Sequence, residues 1–100
     1  PALSLSGLLI TKLIAFREND IVDVVAILIE KFDDLNSEEL YEKVSRSQNL
    51  PAVHRRLIDL LDLFETDEID GIWFVRLRQT LPTEVKAGLI EKIKKIIDFF

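Results

Sequence analysis

The chain has 100 residues, 48% of them apolar and 31% charged, with three Gly, three Pro and no Cys. That composition excludes a disordered or fibrous chain, and without Cys there is no disulfide framework, thiolate nucleophile or Cys-based zinc site. A formal net charge of -5 and a pI near 4.8 disfavour general binding to phosphate backbones.

The punctuation marks out about six helices. Ser4 or Ser6 is placed to cap a first helix running to about Phe16, and Arg17-Glu18-Asn19 then breaks the pattern. Asp20 fits the N-cap of a second helix through about Phe32, where its carboxylate would meet free N–H groups and the positive end of the helix dipole. Asn36 and Glu39 have capping-box spacing and open a third helix over about Ser37–Ser47. Asn49-Leu50-Pro51 starts a fourth, reaching about Glu65, with Val53, Leu57, Leu60, Leu61 and Phe64 at helical spacing.

Thr66 or Asp67 is placed to cap a fifth helix through about Gln79. Gly71-Ile72-Trp73-Phe74-Val75 would also suit a strand, but a lone strand has no partner elsewhere in the chain. After Leu81-Pro82, Thr83 caps a final helix. Its stripe of Val85, Leu89, Ile93, Ile96, Ile97 and Phe100 opposes Lys86, Lys92, Lys94 and Lys95. Short helices with short connections predict an all-α fold, a compact antiparallel array in which residues 1–100 make a single helical domain.

Searches for chemistry return little. There is no phosphate-cradling Gly-rich loop, GxSxG elbow or HExxH pair. Thr66–Gly71 has a calcium-loop flavour, but Leu77 stands where the loop needs its Glu. The only His, His54, neighbours Arg55, Arg56 and Asp59 on one helix, and a polar face with an Arg55–Asp59 pair accounts for it. Trp73 is assigned to core or interface. No catalytic residue, metal ligand or cofactor is assigned, and an autonomous enzyme is disfavoured.

The most informative stretch is Leu8–Glu30, LLITKLIAFRENDIVDVVAILIE. Asp20 and Asp23 share one helix face, with Lys12 and Arg17 just upstream. In two otherwise apolar helices such charges are costly unless paired, so a Lys/Arg–Asp cluster has a structural purpose. The same bases would also suit a nucleotide's phosphates. LLITKLIAFRENDIVDV resembles the segment after the catalytic sheet of nucleotidyltransferase-like proteins, the abortive-infection toxins among them.

The resemblance covers about a quarter of the chain and rests on Lys12, Arg17, Asp20 and Asp23. It implies that these residues lie beside a nucleotide cleft. It departs from the family in lacking the Gly-Ser loop, the Asp-x-Asp metal pair and the sheet that carries them. The implied function is therefore a helical accessory or substrate-binding part, inactive alone.

The alternative is a small helical interaction module that self-associates, with Ile96, Ile97, Phe99 and Phe100 either closing the core or forming an apolar seam. Acid-rich Asp62–Asp70 and base-rich Arg76–Lys95 read first as solvated helix faces, and would also suit opposed patches on two molecules. A protein partner or homodimer and a nucleotide are thus the expected partners. Nucleic acid is disfavoured, and adsorption of Gly88–Phe100 to a membrane surface is the weakest option. No segment has the roughly 20 apolar residues of a spanning helix and no basic leader precedes an apolar run, so a cytoplasmic location is expected. Pro1 suits either removal of an initiator Met or an excised domain. Ile, Leu, Lys and Glu usage without Cys or Met points to a thermophilic source.

Overall fold

The computed structural model describes residues 4–100 and is all-α, with no strand among them. Six α-helices follow in chain order: α1 (Leu5–Ala15), α2 (Glu18–Glu30), α3 (Ser37–Arg46), α4 (Leu50–Glu65), α5 (Glu68–Leu77) and α6 (Thr83–Phe99). A single turn of 3₁₀ helix, Phe32–Asp34, links α2 to α3. The expectation attached to Pro1 lies outside the described residues.

Several boundaries follow their signals. Ser4 accepts from the Gly7 N–H at 3.1 Å, and Asn36 accepts from the Glu39 N–H at 3.1 Å. Pro51 lies in the first turn of α4, where a missing N–H leaves no bond unmade.

Three caps differ from expectation. Arg17, not Asp20, is the N-cap of α2, so Asp20 sits three residues inside and reaches back to the Arg17 N–H at 3.2 Å. Asp67 precedes α5 in the left-handed region with no cap bond from its side chain, and the Thr66 hydroxyl donates instead to the Asp62 carbonyl at 2.9 Å. Thr83 is already helical, with Pro82 before it in extended conformation. α2 also stops at Glu30 rather than Phe32, because the next residues tighten into the 3₁₀ turn.

One core runs through all six helices. α4 is its hub, burying Val53, Leu57, Leu60 and Phe64 against α1, α3, α5 and α6. At about 1.5–3 kcal/mol per buried side chain, that stripe is a principal stabilising feature. α1 adds Leu9, Ile10 and Leu13, and α2 is buried along most of its length through Ile21, Val22, Val24, Val25 and Leu28. Trp73 is buried with Ile69 on the inner side of α5, which rests on α2 and α4.

Lys86 and Lys92 do not oppose the apolar stripe as expected. Lys92 donates to the Leu28 carbonyl at 3.0 Å and lies 5.3 Å over the Phe32 ring, satisfying the C-terminal end of α2. Lys86 donates to Asp67 at 2.7 Å and Asp70 at 2.9 Å, tying α6 to the start of α5. Part of the acidic and basic bias, open to solvated faces or to opposed patches on two molecules, is thus satisfied within one.

Candidate functional site

The hinge between α1 and α2 gathers the four charged residues singled out by spacing. Phe16 ends α1 at φ 49°, a left-handed conformation that turns the chain within two residues, and Arg56 of α4 lies 5.1 Å over its ring. The turn brings Lys12, in the last turn of α1, against the first turns of α2. Lys12 Nζ stands 2.8 Å from Asp23 Oδ2 and 3.4 Å from Asp20 Oδ1. Arg17 Nε donates to Asp20 Oδ2 at 3.0 Å.

Asp20 is only 3% exposed and meets the Arg17 N–H, the Arg17 guanidinium and the Lys12 ammonium. Its bond from the Arg17 guanidinium, opposed by burial and aided by the Arg17 N–H and by Lys12, holds its carboxyl below the ordinary range. Lys12 is raised above its ordinary value, chiefly by its bond to Asp23. Two basic and two acidic side chains therefore gather here, and their formal charges cancel. A phosphate entering here would have to displace a carboxylate from Lys12.

Lys12 and Asp23 also edge a shallow groove of about 380 Å³ with Leu8, Ala26, Glu30 and Lys31. On the other flank of α2, Ala26, Ile29, Trp73, Leu77 and Leu81 line a larger groove of about 550 Å³. Among the described residues, no three His, Asp or Glu side chains converge as a metal site would require. His54 is half-buried on α4, and Arg55 and Arg56 both pair with Asp59, at 3.3 and 3.5 Å.

The apolar cluster at the chain end largely closes the core. Ile96 is buried, and Ile97 and Phe100 pack half-buried against the same cluster. Phe99 is exposed, its ring edge-on to Tyr41 of α3 at 6.0 Å; Phe100 meets the same tyrosine at 5.8 Å.

A different apolar surface lies on α5, where Phe74 is 47% and Val75 58% exposed, with Leu77 beside them. Sequence spacing did not single out this face. Its signal is a helix with apolar residues on all sides, the pattern of an element covered all round, yet α5 is covered on its inner side alone. Comparison of the chain with family models, curated proteins and solved structures finds no match to any of them.

Proposed function

We propose that this chain is a small helical interaction module that associates with itself, and that its charged hinge is architecture. The carrying observation is on α5, where Phe74 and Val75 stand exposed on the outward side and Leu77 is exposed on the flank toward α2. Scattered apolar residues are ordinary on a protein surface, whereas several on one short helix mark a contact face. The ion pairs support the same reading, since Lys12 and Arg17 are already held by Asp20 and Asp23. No helix of the described residues is long and apolar enough to cross a membrane.

Sedimentation velocity over a wide concentration range tests this. The weight-average mass should rise above the 11.5 kDa of one chain as concentration increases. A constant 11.5 kDa would overturn self-association.

The nucleotidyltransferase-type accessory role is the second reading, and one observation favours it. Lys12 and Lys31 line the same groove as Asp23 and Glu30, which gives two ammonium groups and two carboxylates beside an apolar floor. In that role the chain would bind nucleotide for a catalytic partner carrying the metal-binding carboxylates.

A further inference from the structure

The outward face of α5 carries opposite charges at its two ends and an open groove between them. From Glu68 the helix presents Gly71, Phe74, Val75 and Arg78 at the spacing that keeps residues on one side. All five are exposed. Acid stands at the N-terminal end, and base at the C-terminal end, where Arg78 lies 5.9 Å over the Phe74 ring.

Between them, Gly71 has open space where a Cβ would project, with no atom within 4 Å. It forms the floor of a shallow groove of about 440 Å³ bounded by Glu18, Glu68, Ile72 and Val75. Glycine within a helix costs about 1 kcal/mol relative to Ala, and nothing inside the chain crowds this position.

We propose that a second copy of the chain covers this face, with the two α5 helices antiparallel across a two-fold axis. This rests on the self-association reading above and names its surface. An antiparallel register that sets Glu68 level with the partner's Arg78 also sets Gly71 level with the partner's Val75. The valine fills the space left by the missing side chain, and the two Phe74 rings approach each other near the axis. A two-fold repeats each contact, giving two charge pairs and two Val-on-Gly contacts from one surface.

A ten-residue helix extends only about 15 Å. Its face is small beside the roughly 800 Å² per partner of a standard interface, so the dimer is a weak one that forms at high concentration.

Charge exchange tests both surface and register. E68R places Arg opposite Arg at both ends of the two-fold pair, and R78E places Glu opposite Glu. Each variant alone should sediment as monomer at concentrations where the parent chain is dimeric. An equimolar mixture pairs every Arg with a Glu and should restore the dimer mass. Both positions are exposed, and unchanged far-ultraviolet circular dichroism confirms that each variant folds.

Dimers that persist in both single variants would overturn the α5 interface while leaving self-association standing, and loss in Phe99→Ser would then locate it on α6. Loss in both singles without rescue on mixing would overturn the antiparallel register. A parent chain that stays monomeric throughout would overturn the self-association reading itself.

Discussion

At the scale of single residues, the least legible features are the non-glycine residues in left-handed conformation. Phe16, Gln48, Asp67 and Arg78 all have φ between 49° and 61°. Gln48 follows α3 in a Schellman arrangement: its N–H donates to the Ser45 carbonyl at 3.2 Å and that of Asn49 to the Val44 carbonyl at 3.1 Å. Gly is usual at that position, so the left-handed residue itself is not signalled, although α3 ends within one residue of the expected Ser47. The left-handed form costs a β-carbon about 1–2 kcal/mol, partly offset by the greater freedom of Gly in the unfolded chain. Gln48→Gly should therefore raise stability by about 0.5–1 kcal/mol, read as a higher urea midpoint with unchanged slope. Asp20 illustrates a different gap. Its helix-starting character was plain, but Arg17, an unusual N-cap, displaced the start by three positions and left Asp20 to accept from it.

Between elements, paired charges join α1 to α2 and α5 to α6, and Asp20, Lys12 and Lys86 among them link stability to pH. Asp20 lies below its ordinary value of 3.8, so its contribution is complete above that pH and is lost as pH falls through the lowered value. Lys12 and Lys86 lie above their ordinary 10.5, Lys86 chiefly through its bond to Asp67. Their contribution is complete below 10.5 and is lost as pH rises through the raised values. A plateau of stability should span the interval between, and Asp20→Asn should lower it. The gap between parent and variant should then close as the medium is made more acidic than the folded-state value, measured by urea unfolding at a series of pH values. The hinge partners were legible because two apolar helices separated by a short polar break bring their charges together. The Lys86–Asp67–Asp70 cluster was not, since its members lie 16 and 19 residues apart and meet only once α6 folds back. Nor was the outward side of α5: Ile72, Trp73, Phe74 and Val75 are equally apolar as a list, and only packing on α2 and α4 decides which are left outside.

For the whole molecule, the expected all-α class holds, and the radius of gyration is 12.9 Å, against roughly 13 Å for a folded chain of this length. The helical periodicity that predicts six helices also places the hub stripe of α4 and the inner residues of α6, because burial on a helix follows spacing closely. Periodicity says much less about which surplus apolar residues cover a neighbour. By sequence the cluster Ile96, Ile97, Phe99 and Phe100 is therefore open to either core closure or an outer seam, and most of it packs on the core. Function depends on the same distinction at the hinge, where charges suited to a phosphate are also the charges that make two buried helices tolerable to each other. The melting curve of Lys12→Ala beside that of the parent chain, each with and without magnesium and ATP, separates the two most directly. Structural pairing predicts a lower Tm for the variant, since Asp20 loses a partner in a buried setting, and no effect of ATP on either protein. An unchanged Tm for the variant, with ATP stabilising the parent alone, would contradict it and make the hinge a nucleotide site.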